Sequence, residues 1–162
     1  MPSQESDRND KVETAIRSLI YRSARIADEQ HYKEWLDLFT ADAVYAAMTY
    51  ENLHDQGLYL FKDDGLEAIK ERAAFLMGFW RVARSKTLHS ISNIEFTAVT
   101  EKAVTARSYF VIHRSGDMQP SILHACGEYR DVFAYEHGRW LFAERIVIVD
   151  SSVLPAEFTE LL

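Results

Sequence analysis

Asp28, Tyr45, His89 and Arg107 are the residues whose types suit acid–base chemistry in a shared pocket. A carboxylate beside an imidazole makes a general base, while a phenol and a guanidinium can orient a substrate or steady a developing anion. They are far apart in the chain, so only tertiary structure can gather them. Each also has a commoner structural role. His89 falls at a strand start, where a histidine usually bonds to backbone or to a neighbouring chain, and Asp28 follows an apolar helix stripe, where it can end the helix or pair with an arginine.

Other chemistries lack their residues. Cys126 is the only cysteine, which excludes an internal disulfide and a cysteine-held cluster within one chain. The six histidines, His31, His54, His89, His113, His124 and His137, include no pair at helical ligand spacing, so no intrachain metal site is expected. Gly116 and Gly138 are isolated turn glycines, so there is no phosphate-cradling loop and no dinucleotide fingerprint. The serines sit in no nucleophile-elbow context.

Charge and hydropathy narrow the partners. Eighteen Lys and Arg against twenty-five Asp and Glu leave a formal charge of −7, which disfavours nucleic acid. No segment approaches the roughly 18 continuous apolar residues of a membrane span, and the N-terminus has no charged leader before an apolar run. A cytoplasmic protein is expected, without a membrane partner.

The elements that would position these groups can be read from periodicity. Val12, Ile16, Leu19, Ile20, Ser23, Ile26 and Ala27 recur at three- and four-residue spacing, predicting a helix over 10–27 with Asp10 as its N-cap. A short helix follows over 31–39, with Trp35, Leu38 and Phe39 on one face, then a turn at 40–42 and an extended segment over 43–48. Residues 50–63 read as irregular. Asp63, Asp64 and Gly65 then cap a helix ending near Arg84, whose buried face holds Leu66, Ile69, Ala73, Leu76 and Phe79 or Trp80.

Four extended stretches, at about 88–98, 102–114, 120–134 and 139–150, are separated by polar breaks at 100–101, 115–117 and 136–138 and predict antiparallel hairpins. Helices first and strands later predict an α+β fold: residues 1–10 flexible and 11–162 a single domain. Alternation in the last strand puts Trp140, Phe142, Ile146 and Ile148 on one face and Leu141, Ala143, Val147 and Val149 on the other, both apolar. Three helices can cover one face, and another subunit is the expected cover for the second. Glu144 and Arg145, charges within that strand, need partners such as Arg107, Arg130, Glu128 or Asp131.

Residues 35–45 (WLDLFTADAVY), 87–93 (TLHSISN), 127–131 (GEYRD) and 140–145 (WLFAER), followed by Asp150 and Leu154, resemble in order and spacing the small (β) subunits of aromatic-ring-hydroxylating dioxygenases. The likeness covers about residues 12–155. It departs at Leu88, where the family usually has an arginine, and at 80–84, where the family has a proline-containing loop. The resemblance implies a cone of the nuclear-transport-factor-like kind, a curved antiparallel sheet closed by about three helices.

It also implies a non-catalytic role in aromatic-compound catabolism. A large α subunit would carry the Rieske iron–sulfur cluster and the mononuclear iron, and this chain would form a homotrimer within a hetero-hexamer, with no cofactor of its own. Interface candidates are Trp140, Phe142, Arg145, Asp150 and Phe158. The same fold houses stand-alone dehydratases, isomerases and cyclases, for which Asp28, Tyr45 and His89, with Arg107, would converge in a closed apolar pocket. A filled or open cone points to the subunit, and a ligand-shaped cavity without titratable groups to a small-ligand binding module.

Overall fold

The computed structural model describes residues 4–55, 57–83, 85–116 and 120–153, with the side chains at 4, 5 and 79–83 outside that description. Helix α1 spans Gln4–Asp28 and buries Ile16, Ile20, Ser23, Ile26 and Ala27 along the expected stripe. It begins at Gln4, so the N-terminal residues from there are helical and Asp10 lies inside the helix, its carbonyl accepting the Thr14 hydroxyl at 2.8 Å. The acidic residues of this first part suit a helix N-terminus, and Arg8 pairs with Glu101.

At the other end, His31 donates to the Ile26 carbonyl and Gln30 to that of Ala27, with Gln30 in the left-handed region at φ 60°. This Schellman closure stops α1 just beyond Asp28 and fixes where that carboxylate points.

Helix α2 (Tyr32–Leu36) and strand β1 (Phe39–Thr49) follow. The strand starts earlier than the expected turn allowed, because a bulge between Phe39 and Val44 lets 40–42 stay within it. The segment read as irregular contains helix α3 (Tyr50–His54), capped by the Thr49 side chain, and strand β2 (Phe61–Asp64). Asp63 is therefore a strand residue bonded to Arg72, and Gly65, at φ 88°, makes the turn into α4 (Leu66–Ala83). The Phe79 or Trp80 choice for its buried face falls outside the described side chains.

The remaining strands are β3 (Lys86–Val99), β4 (Ala103–Ser115), β5 (Ile122–Glu136) and β6 (Arg139–Val149), joined as the expected antiparallel hairpins. His137 at φ 50° and Gly138 at φ 79° provide the two positive-φ positions of the tight β5–β6 turn. The six strands lie in the order β2-β1-β6-β5-β4-β3.

One pairing departs from an all-antiparallel sheet: β1 runs parallel to β6, Tyr45 opposite Arg145. These two strands are joined through the whole intervening chain, so no hairpin constrains their direction. Register shifts in β3, in the β4–β5 pair and between Val132 and Phe133 bend the sheet around the helices without closing it.

That last irregularity also breaks the alternation read for β6. Phe142 joins Val147 and Val149 in the core between sheet and helices, although simple alternation set it on the opposite face. Gly127 marks a close approach in the same region: a Cβ there would lie 1.9 Å from the Ile148 carbonyl oxygen. Trp35, Tyr45, Phe110, Tyr129, Phe133 and Phe142 are the largest aromatic rings of the core. Burying side chains of this size contributes roughly 1.5–3 kcal/mol each before entropy is subtracted.

Candidate functional site

The end of α1 brings Asp28 against the start of β3. The backbone N–H of His89 donates to the Asp28 carboxylate at 2.9 Å, and the ring Nδ1 lies 2.6 Å from Oδ1. A carboxylate can only accept, so Nδ1 carries the proton. Burial pushes the Asp28 carboxyl up, but the hydrogen bonds and charge of His89, with a further bond from Thr87, outweigh it and hold the group below its ordinary value. The His89 ring is 3% exposed, so little of it is offered to a molecule outside.

Both residues line a groove of about 540 Å³ between α1 and the edge strand β3, with Tyr21, Arg22, Arg25, Lys86, Leu88 and Ile91 among its other walls. The remaining acid–base candidates are elsewhere. Tyr45 is fully buried on β1 in an aromatic nest, 5.3 Å between ring centroids from Trp35 and 5.1 Å from Phe61. Arg107 is exposed, donating to Glu95 at 2.9 Å, and that hydrogen bond with the charges of Glu128 and Glu95 raises its pKa. The expected four-residue convergence is thus reduced to the Asp28–His89 pair.

The centre of the cone holds a different constellation. Arg145 of β6 donates from Nε and one terminal nitrogen to the two Asp131 oxygens, both at 2.8 Å, and from the other nitrogen to Ser23 Oγ of α1 at 3.3 Å. Its guanidinium lies 4.2 Å from the Tyr129 ring centroid and 4.3 Å from that of Phe142. Burial works against the charge on Arg145, and Asp131 more than offsets it, so its pKa is raised. Burial also pushes the Tyr129 phenol up, keeping it neutral. Phe110 stacks on Tyr129 with centroids 4.4 Å apart.

Arg145 and Phe142, expected at an interface, are therefore interior residues of this chain, and the charge of Arg145 is met by Asp131, one of the partners expected for it, and by aromatic faces. Trp140 is half-buried against Tyr135 and Asp150 is exposed at the end of β6, while Phe158 lies outside the described residues. Among the described residues no three His, Cys, Asp or Glu side chains gather as metal ligands would, and no helix is long and apolar enough to cross a membrane. Sequence reasoning missed Tyr21, Arg22, Arg25 and Lys86 as groove residues. Their only signal was a position on the polar side of α1 or at a strand start, which most surface residues share.

A bent six-stranded sheet wrapped on helices, with a paired charge sealed in its middle, defines a cone-type α+β domain. Residues 11–146 match the SnoaL-like domain model, and the chain belongs to that family. It is 30% identical over 106 residues to the small oxygenase component of the p-cumate 2,3-dioxygenase system of Pseudomonas putida, a match covering 61% of this chain and 58% of that relative's length. Among solved structures it is similar to the β subunit assigned to an aromatic-ring-hydroxylating dioxygenase of Novosphingobium aromaticivorans, with a TM-score of 0.82, 20% identity, and 93% and 96% of the two chains covered. A protein of the same organism assigned as a scytalone dehydratase gives a TM-score of 0.69 at 22% identity, with 93% and 97% covered. At these identities the structural matches define the fold, which subunits and enzymes share.

Proposed function

We propose that the chain is a non-catalytic small subunit of a ring-hydroxylating dioxygenase, acting in aromatic-compound catabolism by supporting an iron-bearing large subunit. The observation that carries this reading is the filled cone. Arg145, Asp131, Ser23 and the rings of Tyr129 and Phe142 occupy the space between helix and sheet where a cone enzyme would need a chamber. The small oxygenase component of the p-cumate system, as the matched relative, supports the same class.

In this reading the Rieske cluster and mononuclear iron belong to the partner, and copies of this chain assemble as a homotrimer within a hetero-hexamer. Co-expression with a Rieske-type large subunit tests it. Copurification as a complex of about equal stoichiometry is the expected result. Partner-free turnover of an added substrate by the isolated chain would overturn it.

The Asp28–His89 pair in its groove favours a second reading, a dehydratase, isomerase or cyclase acting alone. The near-complete burial of the His89 ring and the separation of Tyr45 from the groove weigh against it.

A further inference from the structure

The sheet has two outer strands, β2 on one side and β3 on the other. The β3 edge is engaged by α1, since Asp28 takes the backbone N–H of His89. Among the described residues no strand pairs with the outer edge of β2. Gly65 donates its N–H to the Ala43 carbonyl at 2.8 Å, so alternation turns the backbone groups of Phe61, Asp63 and Gly65 toward β1 and leaves those of Lys62 and Asp64 facing outward. A free edge of this kind is a template for another strand.

Exposed apolar side chains stand at the same edge. Leu58 is 83% exposed, and Tyr59 and Leu60, which lead into β2, are exposed as well. Phe75, 62% exposed, stands one turn beyond Arg72 on α4, and the Arg72 guanidinium lies 3.6 Å from the Phe61 ring centroid, which puts Phe75 on the β2 flank of the helix. Apolar surface left open beside an unpaired strand marks an interaction site.

The charges of β2 select the occupant. Lys62 and Asp64 are exposed on one face of the sheet, while Phe61 and Asp63 are half-buried on the other. Lysine on an edge ordinarily deters an incoming strand, because nothing there meets its charge. A second copy of β2, run antiparallel about a two-fold axis at Asp63, sets Lys62 opposite the partner's Asp64 and Asp64 opposite the partner's Lys62, in positions that exchange backbone N–H and C=O. Asp63 falls on the axis with its charge already held by Arg72. The Lys62–Asp64 pair within one chain, at 3.3 Å, is exposed and contributes little, so little is lost on exchanging it.

We propose that the β2 edge is a self-association site, joining two copies of this chain into one continuous sheet about a two-fold axis, with Leu58, Leu60 and Phe75 covered at the seam. The contact is isologous and closes at two, so it is separate from a three-fold assembly and links two of them. It does not rest on the subunit reading.

The test is sedimentation of the full chain over about 1–100 μM. Wild type is expected to double its mass as concentration rises. Lys62→Asp leaves only carboxylates on the exposed face of the edge and Asp64→Lys only ammonium groups, so each alone is expected to self-associate at least about tenfold more weakly. An equimolar mixture of the two variants restores opposite charges across the axis and is expected to associate within about threefold of wild type. Circular dichroism must show both variants folded.

A wild-type mass that does not double, variants that associate as wild type does, or a mixture that fails to recover would each overturn the proposal. If the mass does not double and binding of a Rieske-type large subunit falls in both variants instead, the edge belongs to that partner.

Discussion

The carboxylate of Asp28 accepts both the backbone N–H and the ring Nδ1–H of His89, so one side chain ties the last turn of α1 to the edge strand β3. Replacing it with Asn keeps the size but removes the charge and half of the accepting capacity. Asp28→Asn should cost about 1–2 kcal/mol in urea unfolding near neutral pH. The folded carboxyl lies below its ordinary value of 3.8, so its stabilisation is complete above that value and is lost as pH falls through the depressed folded value. Unfolding midpoints of the wild type should therefore drop across this acid range more steeply than those of Asp28→Asn. Parallel curves would refute the assignment.

The Arg145–Asp131 pair should behave as an all-or-none unit. Arg145→Met leaves a buried carboxylate alone and Asp131→Leu leaves a buried guanidinium alone, and either should cost about 3–5 kcal/mol. The double variant should be less destabilised than the sum of the two, because neither charge is then stranded. Denaturant titration of the four proteins completes the cycle. Additive losses would mean that the two residues do not depend on each other.

Gly127 should not accept even one methyl group. A Cβ there would meet the backbone oxygen of Ile148 at 1.9 Å, and backbone cannot rotate away as a side chain would. Gly127→Ala is expected to destabilise by roughly 1–3 kcal/mol or more and to reduce soluble yield. Gly138→Ala serves as the contrast, since nothing lies within 4 Å of its Cβ and only its φ of 79° is strained. A melting temperature for Gly127→Ala equal to wild type would show that β5 and β6 are not held this close.

Local periodicity made much of this fold legible. The stripe of α1 and the three hairpin breaks follow from spacing and turn residues, and both were readable. What escaped depends on partners distant in sequence. The parallel β1–β6 pairing has no local signal, and a single bulge in β6 moved Phe142 into the core and so defeated a strict two-residue period. Arg145 illustrates the boundary: its need for a partner such as Asp131 was inferable from a charge in an apolar strand, but the burial of the pair between the sheet and α1, away from any interface, was not. For the acid–base set, only Asp28 and His89 met, because Tyr45 and Arg107 face different parts of the sheet.

The last prediction separates a supporting subunit from an enzyme. If Asp28, Tyr45 and His89 only hold structure, then Asp28→Asn, Tyr45→Phe and His89→Ala should lower stability or assembly while leaving turnover per assembled iron centre within about tenfold of wild type. Tyr45→Phe should be nearly silent in turnover, because its side chain is fully buried, packed against Trp35 and Phe61 and away from the groove. A general acid or base contributes roughly 10²–10⁴-fold, so the enzyme reading requires a far larger fall, in an activity the chain displays alone. The measurement is product formed per iron by each variant reconstituted with the large subunit, beside the wild-type chain assayed without a partner. Partner-free turnover that collapses in His89→Ala, with folding intact by circular dichroism, would replace the subunit assignment with an Asp28–His89 enzyme.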